Sequence, residues 1–150
     1  MYGDKGEVPE GEYILPIGVA DIKREGSDVT VVSFGKIIKE AYAAADSLEK
    51  EGISCEVIDL RTVRPLDINT ILESVKKTNR LVILEEAWPF GNVSTEITYQ
   101  VQEKAFDHLD APIIKINTAD TPAPYSPVLL KEWLPNSDDV VRAVKKVLYK

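Results

Sequence analysis

The segment VTVVSFGKIIKEAYAAADSLEKEGISCEVIDL, residues 29–60, changes hydrophobic period twice within thirty-two positions. Its first part, VTVVSFG (29–35), is a continuous run rich in β-branched residues that stops at a glycine. A short unbroken run of this kind reads as a strand buried on both faces. Ile37, Ile38, Ala41, Tyr42, Ala45 and Leu48 then recur at helical spacing, and Gly52 is placed to close that helix as a left-handed cap. CEVIDL (55–60) returns to the pattern of a buried strand. Strand, helix and strand in this order form a parallel crossover unit.

The pattern repeats downstream. Asp67 is placed to cap a helix over INTILESVKK (68–77), with Ile68, Ile71, Leu72 and Val75 on its inner face. RLVILEE (80–86) is a third strand. VSTEITYQVQEKAF (93–106) follows the turn AWPFGN as a helix facing inward through Val93, Ile97 and Val101. PIIKIN (112–117) is a fourth strand, and TADTPAPYSP (118–127) reads as an irregular proline-rich loop. The last helix is expected to be capped by Ser137. Asp138 and Asp139 in its first turn and Lys145 and Lys146 in its last complement the helix dipole. GVADIKREG (18–26) alternates weakly through Val19, Asp21 and Lys23 and carries charges that an edge strand tolerates. The sum is an α/β protein with a mostly parallel sheet and helices on both faces.

A chain of 150 residues is the size of one domain and buries about 70% of its unfolded surface. A net charge of −7 argues against a general nucleic-acid binder, which needs a basic face. It suits a partner with a basic surface. Cys55 is the lone cysteine, so it forms no internal disulfide and reads as a small core residue of a cytoplasmic protein. No apolar run approaches the ~20 residues of a membrane span. MYGDKGEVPEGE (1–12) lacks the apolar centre of a signal peptide and reads as a linker from something upstream.

Ligands of open α/β sheets sit beyond the carboxyl ends of the strands. The loops there start at Gly35, RTVRP (61–65), EEAWPFGN (85–92) and TADTPAPYSP, and none carries a phosphate-binding glycine pattern or a nucleophile elbow. His108, the only histidine, follows a helix end and reads as a surface or capping residue. Glu85 and Glu86 are adjacent on a strand, so they point to opposite faces and form no carboxylate dyad. Arg61 and Arg64 are the sharpest polar feature. They either clamp a phosphate or carboxylate or brace a joint, with Arg61 reaching Asp59, Asp67 or loop carbonyls. The residues alone therefore describe an α/β domain without a self-contained active site, one part of a larger assembly.

Four stretches, YILPIGVADIKREGSDVTVVSFG (13–35), GISCEVIDLRTVRPLD (52–67), SVKKTNRLVILEEAW (74–88) and LDAPIIKINTADTPAPY (109–125), occur in an order that resembles the C-terminal domain of the beta subunits of thiamine-dependent 2-oxo-acid dehydrogenases. The likeness is nearest to the pyruvate dehydrogenase members. It implies a three-layer α/β/α sandwich of transketolase C-terminal type, with a five-stranded mixed sheet and one antiparallel edge strand. Residues 1–17 would be a linker from a missing N-terminal domain and 18–150 the domain itself. The whole enzyme would be an α2β2 heterotetramer of alpha subunits and two beta subunits. With thiamine diphosphate and magnesium it would decarboxylate pyruvate and pass the acetyl group to the lipoyl arm of a dihydrolipoyl acyltransferase component. The resemblance places catalytic, cofactor and metal residues outside this segment. It makes Arg61 and Arg64 an interface brace, with anion binding still open, and makes Asp110 and the terminal Lys150 the positions facing the acyltransferase. Lys150 adds a positive charge there, and Val19 stands where the family usually has a lysine. The alternatives are a stand-alone module binding a small anion through Arg61 and Arg64, or the same domain from an acetoin, branched-chain 2-oxo-acid or transketolase enzyme.

Overall fold

The structure is a computed structural model that describes residues 6, 7 and 9–150. Positions 1–5 and 8 of the expected linker lie outside the described residues. The elements in chain order are β1 (Asp21–Arg24), β2 (Val29–Ser33), α1 (Ile38–Glu49), β3 (Cys55–Asp59), α2 (Ile68–Thr78), β4 (Leu81–Leu84), α3 (Val93–Ala105), β5 (Ile114–Ile116), α4 (Pro127–Trp133) and α5 (Ser137–Val147). Single 3-10 turns precede α1 (Gly35–Ile37) and follow α3 (Phe106–His108).

The strands form one sheet in the order β1-β3-β2-β4-β5. β1 is antiparallel to β3 at the edge, and the other neighbours are parallel. The weakly alternating, charged segment thus occupies the antiparallel edge. β2 and β4 are wholly buried because both of their faces are covered. Val29, Val31, Val57, Val82 and Leu84 pack on one side with Ala41 and Leu48 of α1 and Val140 and Val144 of α5. Val32, Ile58, Leu81 and Ile83 face the other way, against Ile71 and Val75 of α2 and Ile97 and Val101 of α3. This period-2 alternation between two cores produces the three-layer α/β/α sandwich.

The helix ends differ from expectation in two places. Asn136, not Ser137, caps α5. Its side chain accepts from the N–H groups of Asp138 (2.9 Å) and Asp139 (3.2 Å), and the Asp139 carboxylate accepts from the Asn136 N–H (2.9 Å). This reciprocal box satisfies more orphan donors than a serine one residue later would. The Ser137 N–H instead donates to Glu40 on α1 (2.9 Å). The stretch 118–127 is irregular only as far as Ser126. Pro127 opens α4, at a position where the missing N–H costs nothing. Gly52 is left-handed as expected, at φ 76°, two residues beyond the C-cap Lys50.

Candidate interaction sites at the sheet edge and beside the last helix

The loop from β3 to α2 is tied to the segment that leads into β1. The Arg61 guanidinium pairs with the Asp21 carboxylate, which Lys23 also contacts. The Gly18 N–H donates to Thr62 Oγ1 (3.0 Å), and the Ala20 N–H donates to Asp67 Oδ2 (3.0 Å). Asp67 meanwhile caps α2, accepting from the Thr70 N–H (3.2 Å) and hydroxyl (2.7 Å). Gly18 is left-handed at φ 81°, and a Cβ there would lie 2.7 Å from the Pro65 ring, so the two segments approach closely.

The charges explain themselves through strand register. Asp21 stands opposite Asp59, a like-charge pair that an antiparallel edge does not favour. The Lys23 ammonium, and then the Arg61 guanidinium, offset it and hold the Asp21 carboxyl below its usual range against the effect of burial. Of the partners expected for Arg61, Asp59 is met only by its backbone N–H (3.0 Å), and Asp67 is committed to Ala20 and Thr70. Arg64 lies elsewhere, on an open cleft of about 740 Å³ with Val63, Leu66, Val93, Glu96 and Gln100. Arg61 is absent from that lining, so the two arginines do not converge on one ligand position.

At the carboxyl end of the sheet, Glu85 is 3% exposed and its carboxylate accepts the N–H groups of Val93 (3.1 Å) and Ser94 (2.8 Å) at the start of α3. It anchors a helix. Glu86 lines a separate surface hollow with Lys36, Lys131 and the start of α5. The indole N–H groups of Trp88 (3.1 Å) and Trp133 (2.9 Å) both donate to the Thr121 carbonyl, joining the loops after β4 and β5. Around that joint Phe90 is 92% exposed, and Tyr125, Val128 and Leu129 are exposed as well.

A third site lies beside the end of α5. Asp110 is exposed, as its place before Ala-Pro implied, yet all three of its polar groups are engaged. Its N–H donates to the Asn79 carbonyl (2.9 Å), its carbonyl accepts from the Tyr149 hydroxyl (3.1 Å), and its Oδ2 lies 3.3 Å from the Arg80 guanidinium. Arg80 also donates through Nε to the Val147 carbonyl of α5 (3.1 Å). Tyr149 and Arg80 therefore bring the last residues, including exposed Lys150, alongside Asp110. Asn79 holds the neighbouring turn through the His108 carbonyl (2.9 Å), and no other role for His108 is evident. Neither Arg80 nor Tyr149 stood out in the sequence. A basic residue directly before a buried strand was the available signal for Arg80. Tyr149 meets Asp110 from 39 residues away and left no local signal.

Cys55 is buried, and burial pushes its thiol up to about 12. Among the described residues no three His, Cys, Asp or Glu side chains converge as a metal-ligand set. Gly35 and Gly91 each open a single turn, with no glycine-rich loop around a phosphate position. Among the described residues these side chains form no set that fits magnesium or a diphosphate. No helix among the described residues is long and apolar enough to cross a membrane.

These features define an α/β/α domain with a mixed sheet whose distinctive surfaces are a loop joint, an end with exposed apolar side chains and the Arg80–Asp110 pair beside the last helix. The chain belongs to the family described as "Transketolase, C-terminal domain", whose profile matches residues 18–140. It is 52% identical over 149 residues to the "Pyruvate dehydrogenase E1 component subunit beta" of Rickettsia felis, covering 99% of this chain and 46% of that protein. It is 48% identical over 147 residues to the "Acetoin:2,6-dichlorophenolindophenol oxidoreductase subunit beta" of Bacillus subtilis, covering 98% of this chain and 43% of that one. A solved structure titled "Split gene transketolase, inactive beta4 tetramer" superposes with a TM-score of 0.82 at 30% identity, over 96% of this chain and 46% of the other. The chain thus spans about half the length of the curated relatives it matches.

Proposed function

We propose that this chain is the C-terminal part of the beta subunit of the decarboxylating component of a pyruvate dehydrogenase complex, and that it serves assembly and docking. The observation that carries this reading is the 52% identity to a beta subunit of that name along nearly all of the chain. The parent enzyme converts pyruvate to an acetyl group on the lipoyl arm of the acyltransferase component, with thiamine diphosphate and magnesium held by the alpha subunit and the upstream part of beta. Residues 1–17 link that upstream domain to this one. The lone buried cysteine suits a cytoplasmic location.

Within the α2β2 assembly, the exposed apolar end around Phe90, Tyr125, Val128 and Leu129 is the face for another subunit. Arg61 braces the joint from which the upstream domain departs. The patch at Asp110 and Lys150 receives the acyltransferase component. A module that clamps a small anion between Arg61 and Arg64 is disfavoured, because Arg61 is paired with Asp21 and lies outside the Arg64 cleft.

A second reading has its own support. The 48% identity to a beta subunit of an acetoin oxidoreductase is nearly as high, and on this reading substrate choice is made in the upstream part of the enzyme. Reconstituting full-length beta with its alpha subunit and comparing kcat/KM for pyruvate, branched 2-oxo acids and acetoin separates the two. Preference for pyruvate is expected. Preference for acetoin would replace the first reading with the second.

A further inference from the structure

Among the described residues, α4 is the only α-helix with no buried residue. It has seven residues, and Ser126 at its start makes no side-chain cap bond. A helix of this length is marginal in water on its own, so its contacts with the body decide whether it stays in place. Leu130, Trp133 and Leu134, at helical spacing, are half-buried, while Val128 and Leu129 on the other side are exposed. The loop before α4 adds little. Pro122, Pro124 and Pro127 have no N–H to donate, and the Thr121 N–H closes only a local turn on the Ala119 carbonyl (2.8 Å).

Both ends of this segment are fixed. Upstream, the Thr118 N–H donates to the Ala87 carbonyl after β4 (3.1 Å). Downstream, the reciprocal box of Asn136 and Asp139 and the Ser137 N–H on Glu40 hold the start of α5. Residues 119–135 run between these two anchors. The Ala119 N–H donates to the Trp133 carbonyl (3.2 Å), a bond within the segment. The Trp133 indole on the Thr121 carbonyl is a second internal bond, and the Trp88 indole reaches the same carbonyl from the body. At the upstream anchor the Thr118 hydroxyl is buried with no hydrogen-bond partner among the described residues. A buried polar group left unpaired is costly, and water reaching it lowers the cost of opening. Leu130, Lys131 and Leu134 also line the hollow of about 610 Å³ that they share with Lys36, Ile37 and Glu86, so moving α4 uncovers the carboxyl end of the sheet.

We propose that residues 119–135 form a latch that opens as a unit while the sheet stays folded, with the Thr121 carbonyl as its catch, and that subunit association closes it. Val128 and Leu129 belong to the apolar end assigned above to another subunit, and the second half of the proposal rests on that reading. A subunit that meets them where α4 places them binds the closed form and not the open one, so closure and association favour each other.

Hydrogen exchange read by mass spectrometry tests this on full-length beta, alone and assembled with full-length alpha. In beta alone, the amides of residues 130–134 are expected to exchange at least ~100-fold faster than those of β2 and β4, because they open locally and the sheet opens only with the whole fold. Assembly is expected to slow 130–134 by ~10-fold or more. Trp88→Phe keeps an aromatic ring and removes the donor from the body. It should speed exchange at 130–134 in beta alone by about 5-fold, the scale of one hydrogen bond, with β2 and β4 unchanged. Amides of 130–134 as slow as those of β2 and β4 in beta alone would overturn the latch and leave the assignment of the apolar end standing. Fast exchange that assembly does not slow would overturn closure by association together with that assignment. Trp133→Phe removes the other donor, and wild-type exchange in both indole variants would overturn the catch at Thr121.

Discussion

Arg61 and Asp21, forty residues apart, form an ion pair that fastens the β3–α2 loop to the edge strand. Both side chains are largely but not fully covered, so the pair is worth more than a solvated surface bridge and less than a buried one. Arg61→Ala is expected to destabilise the folded chain by ~1–2 kcal/mol. Asp21→Asn should cost less, because it also removes the repulsion from Asp59. A urea-denaturation double-mutant cycle measures the coupling. A coupling of zero would show that the loop is held by Thr62 and Asp67 alone.

Acid stability should report the same joint. Burial pushes the Asp67 carboxyl up, but the N–H of Ala20 and the two donors of Thr70 outweigh it and hold it below its usual range. Asp21 is also held low, by Lys23 and Arg61. A carboxylate whose folded pKa is depressed adds stability that is fully present above its unfolded pKa, about 3.9. That stability is lost as pH falls through the folded value. The wild-type chain should therefore lose stability below about pH 4, and Asp67→Asn should flatten that loss. A slope of denaturation midpoint against pH that is the same in both would remove Asp67 from the account. At neutral pH, Asp67→Ala should cost ~1–2 kcal/mol through the lost helix cap.

Gly26 is fixed by space. A Cβ there would fall on the backbone of Cys55 and Glu56, in a central strand that has no room to yield. Gly26→Ala is expected to destabilise by ~3 kcal/mol, the upper range for overpacking. Thermal unfolding by circular dichroism measures it, and a wild-type midpoint would mean that the β1–β2 turn shifts freely.

Cys55 should be inert in the native chain. A buried thiol pushed up to about 12 offers almost no thiolate at neutral pH. Ellman's reagent is expected to react with it only after denaturant is added. Rapid native labelling would contradict the packing of Cys55 beneath α1.

The core was legible in the sequence because its signals are local. VTVVS and LVIL are unbroken apolar runs, and α1 to α3 repeat at helical spacing. The cap of α5 was legible in principle. Asn136 has the acidic Asp139 three positions on, whereas Ser137 has the apolar Val140 there, yet two adjacent capping residue types compete on propensity alone. Helix α4 was hidden because seven residues after a proline-rich stretch make too short a pattern. The joint was half legible. The Arg61 partner could be identified as Asp21 only after the edge strand was paired in register with β3, since that pairing sets Asp21 opposite Asp59. The Arg80–Asp110–Tyr149 contacts are wholly tertiary, and no window of sequence contains them.

A domain proposed to supply contacts, with the chemistry held elsewhere in the enzyme, should separate binding from turnover. The most direct measurement compares two activities of the intact enzyme carrying Asp110→Ala. These are pyruvate decarboxylation with an artificial electron acceptor, and acetyl transfer to the lipoyl arm of the acyltransferase component at limiting concentration. The expected result is unchanged decarboxylation with acetyl transfer reduced ~10-fold or more at low acyltransferase, restored by raising its concentration. Acetyl transfer equal to wild type at limiting acyltransferase, or a parallel fall in decarboxylation, would contradict it.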